Sequence, residues 1–208
     1  MYKINDNLEQ QAKLIFDHIF KEIPIQTATY GTLADIAIIT MGQSPAGNSY
    51  NEAGNGIVFY QGRAEFGHRF PTRKLFTTAP KHMAQTGDIL FSVRAPVGDI
   101  NIATEDCCIG RGLSAIRSKD GHNSFLLYTL LKMIPQFKVF NGEGTVFGAI
   151  NKKDLNSMPV LIPSKKYINQ FEQRVHPLDQ LIYQHAEETR KLQEMRNILL
   201  PFLMQQAN

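Results

Sequence analysis

Three glycines, Gly142, Gly144 and Gly148, surround Thr145, and Lys152 and Lys153 follow a few residues on. Open backbone amides, a hydroxyl and two ammonium groups form a set that suits a phosphate. The spacing G-x-G-x-x-x-G is not the dinucleotide fingerprint, and no GK[ST] follows it. No helix clearly opens after the loop, and no acidic residue at a later strand tip is identifiable. The phosphates of a nucleic acid are therefore a better target than a nucleotide. A plain hairpin turn explains the same glycines equally well.

A second group is electrostatic. Residues 61 to 94 carry Arg63, Arg69, Arg73, Lys74, Lys81 and Arg94 against only Glu65 and Asp88, a local net charge of +4. The whole chain carries only +3, so the remainder is about neutral. A basic cluster on a neutral background fits a phosphate-facing surface. Arg63, Arg69, Arg73, Lys74, Arg94, Thr145, Lys152 and Lys153 are the expected DNA contacts. Arg63 and Arg69 flank an aromatic turn and are the candidates for base edges, because arginine pairs bidentately with guanine. Arg94 and Arg111 border strands and can instead pair with Asp88 or Asp106. Tyr50, Tyr60, Phe66 and Phe70 read as exposed aromatics.

Catalytic groupings are missing. There is no H-E-x-x-H, no G-x-S-x-G and no Cys/His cluster at metal spacing. Cys107 and Cys108 are adjacent and read as small, semi-buried residues. The six histidines are dispersed, and Asp88 belongs to a turn into a strand. No catalytic residue and no metal ligand is expected.

The elements that must position these residues follow from pattern. The chain has 208 residues, 43% hydrophobic and 20% charged, enough for a real core. No stretch reaches the length of a membrane span, and the polar N-terminus lacks a signal-peptide run, which points to the cytoplasm. Residues 5 to 22 predict a helix capped by Asn5 or Asp6, with Leu8, Ala12, Ile15, Phe16, Ile19 and Phe20 on one face. Short β-branched and aromatic runs then recur (IAIIT, GIVFY, DILFSV, DINIA, LSAIR, MPVLI), with one helix at 123 to 134 closed by Pro135.

Residues 165 to 206 predict a long helix. Its seam of Ile168, Phe171, Val175, Leu178, Ile182, His185, Thr189, Leu192, Arg196, Leu199 and Leu203 is spaced by alternating threes and fours. Pro177 predicts a kink or a helix start. Such a rod must bury its stripe on the first helix, on another chain, or on both. His185 and Arg196 on the seam call for Glu187, Glu188 or Glu194 across a two-fold axis. The fold class is α+β: an N-terminal helix (1–23), a strand-rich domain (24–163) and a long coiled-coil-like helix (164–208).

With these residues in view, "ADIAIITMGQSPAGNSYNEAGNGIVFYQGRAEF" resembles the opening of a target recognition domain in the specificity subunit of type I restriction-modification systems. The match rests on Gly42, the Ser44-Pro45 step and the strand GIVFYQG. "TGDILFSVRAPVGDINIATEDCCIGRGLSAIR" resembles the family's next block, and "GTVFGAINKKDLNSMPVLIPS" its closing block. "FEQRVHPLDQLI" and "LQEMRNILLPFLM" resemble the helix that follows. The family pairs two recognition domains with two antiparallel helices, whereas this sequence resembles one half.

The resemblance implies a non-catalytic subunit that reads one half of a bipartite DNA target and docks methyltransferase subunits. A restriction subunit is a further possible partner. A homodimer through Leu8, Ile15, Ile19, Leu178, Ile182, Leu192 and Leu199 is expected, because the first helix is too short to cover the apolar stripe and two copies about a two-fold axis would restore the full pattern. S-adenosylmethionine, ATP and Mg2+ would belong to partner subunits, with no cofactor in this chain. The competing expectation is a non-catalytic adaptor that binds protein through its coiled-coil helix.

Overall fold

The computed structural model describes residues 2–21, 23–142 and 148–206. Thr145 lies outside the described residues. Helix α1 spans Tyr2–Lys21. Its apolar spacing places Ala12 and Ile19 in the core, with Ile15, Phe16 and Phe20 packed beside them. The helix starts before Asn5, so neither Asn5 nor Asp6 caps it. Asn5 instead meets His185 Nδ1 through its side-chain oxygen at 2.8 Å.

Strand β1 (Ala28–Thr32) leads through the short α2 (Leu33–Ile36) into β2 (Ala37–Met41). Strands β3 (Tyr50–Asn51), β4 (Ile57–Tyr60), β5 (Leu75–Thr77), β6 (Met83–Ala84), β7 (Ile89–Ser92), β8 (Ile100–Ile102), β9 (Cys107–Ile109) and β10 (Leu113–Ser118) follow. Then come α3 (Asn123–Phe137), α4 (Lys152–Asn156), β11 (Pro159–Pro163) and α5 (Lys165–Gln206). The strands form three sheets: β1-β11, β2-β10-β7-β8 and β3-β5-β4-β9-β6. Among the described residues only the β4–β9 pair is parallel. The turn between β9 and β10 carries the chain from the five-stranded sheet to the four-stranded one.

The main core joins all three parts of the sequence. Ile89, Phe91 and Ile116 from the four-stranded sheet meet Phe125, Leu130 and Phe137 of α3 and Ile168, Phe171 and Val175 of α5. A smaller core of Val58, Tyr60, Leu90, Ile109 and Leu113 fills the space between the sheets. Tyr60 is wholly buried there, contrary to its expected exposure. Phe66 packs on that core, Phe70 sets its ring edge-on to Tyr183, and Tyr50 packs on Phe59. These aromatics support the fold rather than stand free.

Two prolines fail to stop helices. Helix α3 runs past Pro135 to Phe137, whose buried ring lies 4.8 Å from that of Phe91. Helix α5 is continuous through Pro177 and does not start there. Val175 and Ile182 are buried on either side of Pro177 and hold both halves to the core. Their burial offsets a proline cost of about 3 kcal/mol.

The seam of α5 divides in two. Ile168, Phe171, Val175 and Ile182 are buried, whereas every described side chain from Lys191 onward is exposed. Ile19 and Ile182 are therefore buried within the chain, Ile15 and Leu178 pack beside its core, and Leu8 is half-buried. Leu192 and Leu199 remain open at 51% and 52% exposure. Glu187 and Glu194 pair with Arg190 on the same helix, and Arg196 bonds Asn197. Two of the three expected cross-axis partners, Glu187 and Glu194, are thus already engaged within the helix, and Glu188 stays exposed. Among the described residues no helix is long and apolar enough to cross a membrane.

Candidate nucleic-acid interface

Strand register gathers the functional groups. Ser114 of β10 lies opposite Met41 of β2, Leu113 opposite Ser92 of β7, and Phe91 opposite Ile100 of β8. The exits of β2 and β7 and the entries of β8 and β10 therefore share one end. In the other sheet, Phe59 lies opposite both Cys108 and Leu75, and Met83 opposite Cys108. The exits of β4 and β9 and the entries of β5 and β6 likewise share an end. The Gly110–Arg111–Gly112 turn belongs to both. This end collects Gln43, Ser44, Gln61, Arg63, Lys74, Lys81, His82, Arg94, Asp99 and Arg111.

Glycine lets these segments stack backbone on backbone. A Cβ on Gly42 would lie 2.1 Å from the Gly110 carbonyl oxygen, and one on Gly110 would lie 2.7 Å from that of Gln61. A Cβ on Gly112 would come within 2.9 Å of the same Gln61 oxygen. Main-chain bonds lock the stack. Gly42 N–H donates to Leu113 C=O at 2.8 Å, Gly110 N–H to Tyr60 C=O at 2.8 Å, and Val93 N–H to Gly112 C=O at 3.0 Å. The turn after β7 is also bound to the segment that follows the glycine loop. Ala95 N–H donates to Gly148 C=O and Ile150 N–H to Val93 C=O.

Four cations on this end are exposed and make no side-chain ion pair among the described residues: Lys74, Lys81, Arg94 and Arg111. Arg111 was expected only to pair with Asp88 or Asp106, and Arg94, an expected DNA contact, had the same pairing as its alternative. Both acids are taken. Arg117 grips Asp88 through Nε at 2.5 Å and Nη2 at 2.8 Å, and Asp106 accepts from the Thr86 N–H and hydroxyl. Arg63 is also exposed, with its Nε on Asp99.

The basic segment is therefore split. Arg69 is not a base reader in this geometry: it is 8% exposed and turned inward. Its guanidinium bonds Asp179 of α5, reaches the Tyr128 hydroxyl at 3.5 Å and lies 3.6 Å from Glu9 of α1. The hydroxyl of Tyr128 donates to Asp179 at 3.0 Å. Burial disfavours the Arg69 charge, but Asp179, Tyr128 and Glu9 together outweigh it and hold the pKa above its ordinary value. Arg73 bonds Glu105 and lines a cleft of about 470 Å³ against α5, together with Glu187 and Arg190. That position takes it away from the loop end. Lys152 and Lys153 open α4 behind the Asn151 cap and border a shallow hollow with Thr32, Asn156 and Ser157. They flank the gathered loops rather than join them.

Lys81, Gln43, Ser44, Gln61 and Arg111 were absent from the expected contacts. The signal for Arg111 was its setting between two glycines. The others depend on strand register, which residue type does not reveal. Cys107 and Cys108 are fully buried, and burial raises both thiol pKa values, so neither is a reactive thiol. Among the described residues, no group of three His, Cys, Asp or Glu side chains is placed to hold a metal.

This arrangement agrees with similarity to known proteins. The MjaX type I restriction enzyme specificity subunit named in Methanocaldococcus jannaschii is 40% identical over 167 residues, covering 80% of this chain and 39% of that protein. The HsdS subunit from Thermoanaerobacter tengcongensis has a solved structure 32% identical, with a TM-score of 0.66 over 89% of this chain and 47% of that one. A structure from work on assembly and conformational transition of a type I R-M system is 34% identical, with a TM-score of 0.67 over 97% of this chain and 50% of that one. The chain spans two fifths to one half of the length of these relatives. The model of the type I restriction modification DNA specificity domain matches residues 26–197, and this chain belongs to that family.

Proposed function

We propose that this chain reads part of a DNA target through the loop end of its two larger sheets and joins methyltransferase subunits through its helices. One observation carries the reading: free cations, amide-bearing side chains and closely stacked glycine loops meet at a single end. Cations there neutralise phosphates, while Gln43, Gln61 and the arginines offer groups suited to base edges. In this reading the chain is itself non-catalytic. S-adenosylmethionine, ATP and Mg2+ belong to partner subunits, and a restriction subunit joins the same assembly. The open second half of α5 supplies the contact with a second copy.

Salt titration of duplex binding is the test. Wild-type affinity should fall steeply with salt, because bound cations release counterions from DNA. Arg94→Ala and Arg111→Ala should each weaken all sequences alike and reduce the salt slope by about one unit. Duplex binding that ignores salt, or variants that bind as wild type does, would refute the assignment of this end. Methylation of DNA by the partner alone, without this chain, would refute the division of labour.

A further inference from the structure

We infer that Asp99 is a positioning residue that sets the Arg63 guanidinium to read a guanine. This rests on the reading that the loop end faces DNA, and it goes further by separating base reading from phosphate binding. Arg63 and Asp99 are both open to solvent, at 54% and 41% side-chain exposure. The carboxylate takes only Nε of the guanidinium. Among the described residues nothing bonds the edge formed by the two terminal nitrogens, and that edge matches O6 and N7 of guanine.

Both partners stand on fixed backbone. Arg63 opens a single helical turn, Arg63–Glu65. The buried Glu65 carboxylate accepts from the Gly62 N–H at 3.0 Å. Phe66 N–H donates to Arg63 C=O at 2.9 Å, and Thr72 N–H to Glu65 C=O at 2.8 Å. Asp99 ends the β7–β8 turn, where its C=O accepts from Ser92 N–H at 2.9 Å. Gly98 beside it has φ +96°, and a Cβ there would lie 2.8 Å from the Phe137 side chain. The arginine is thus held at its root and at Nε before any ligand arrives. Such preorganisation removes the ordering cost of a long side chain.

Charge distinguishes this role from simple phosphate binding. An arginine that only neutralises phosphate gains nothing from an adjacent carboxylate, which repels DNA. Arg94 and Arg111 have no such partner among the described residues, which suits phosphate contact. Arg73 has one in Glu105, but it lies in the cleft against α5. Arg63 combines an oriented guanidinium with an open position on the loop end.

The experiment is selection by the full chain from a randomised duplex pool, with affinities measured on the enriched sequence and on random duplex. Wild type should enrich guanine at one position that Arg63→Ala makes indifferent. Asp99→Ala and Asp99→Asn should lose about tenfold or more of that preference. Their affinity for random duplex should stay the same or rise, since negative charge has been removed. In the Arg63→Ala background, Asp99→Ala should change nothing further at that position. Preference retained in both Asp99 variants would overturn the inference. So would uniform weakening on every sequence, which marks a merely structural residue. If wild type shows neither enrichment nor salt-dependent binding, the DNA-facing reading itself fails.

Discussion

Arg69 illustrates how a cation in a basic segment can be structural. It links the loop after β4 to α3 through Tyr128, to α5 through Asp179 and to α1 through Glu9. Removing one member of a buried pair leaves the other charge unpaired, at about 3–5 kcal/mol. Arg69→Ala should therefore lower the denaturant midpoint sharply, while Arg111→Ala should leave it nearly unchanged; urea unfolding of both separates the roles. The sequence placed both arginines correctly near strands and turns. Its residue types could not distinguish them, because the partners of Arg69 lie 110 positions away at Asp179 and far upstream at Glu9.

The same clasp makes stability depend on pH. Burial raises the Glu9 pKa, but the Lys13 hydrogen bond and the Arg69 charge win and hold it below the ordinary 4.5. A carboxylate with a depressed folded pKa contributes stability that is complete above the unfolded value and is lost as pH falls through the folded one. Glu172 acts in the opposite sense, because burial raises its pKa despite the Phe125 N–H it accepts. The informative measurement is the melting temperature of wild type minus that of Glu9→Gln. That difference should be level above about pH 5 and shrink below pH 4.5. A difference that grows toward acid would contradict the clasp.

At the scale of elements, the strand-rich domain was legible because its apolar runs are short and bounded by turn residues. All six quoted runs correspond to strands: β2, β4, β7, β8, β10 and β11. The sheet order was not legible, since the β4–β9 parallel pair joins segments far apart in sequence. Pro135 and Pro177 misled for one reason: local propensity was outweighed by buried neighbours on both sides. Backbone stacking at the loop end was hidden as well, because a glycine's role depends on what lies opposite. Gly42→Ala tests that stacking. Its Cβ would meet the Gly110 carbonyl at 2.1 Å, and backbone cannot move aside as a side chain can. We expect a loss of about 1–3 kcal/mol in urea unfolding, together with weakened DNA binding. Gly47→Ala, where nothing lies within 4 Å, should cost little and serves as the control.

At the scale of the molecule, α5 holds two surfaces on one rod. Its 42 residues extend about 63 Å at 1.5 Å per residue. The first half completes the core of the chain, and Arg190 with Glu187 and Glu194 braces the middle. Beyond that point Leu192, Met195, Ile198, Leu199, Leu200 and Leu203 are all more than half exposed. An apolar patch of that extent marks an interface. Ile19 and Ile182 are buried and Ile15 and Leu178 partly so, which leaves the distal half as the open face for a second copy. Two-fold packing of distal halves would fix the spacing between two loop ends and make the DNA target an interrupted palindrome. Leu192→Glu combined with Leu199→Glu should leave the core intact, since neither side chain reaches it. The variant should keep the wild-type melting profile of the domain, sediment as a monomer and bind an interrupted palindrome more weakly than wild type does. A wild-type chain that sediments as a monomer at high concentration would refute self-association and assign the distal stripe of α5 to a methyltransferase subunit instead.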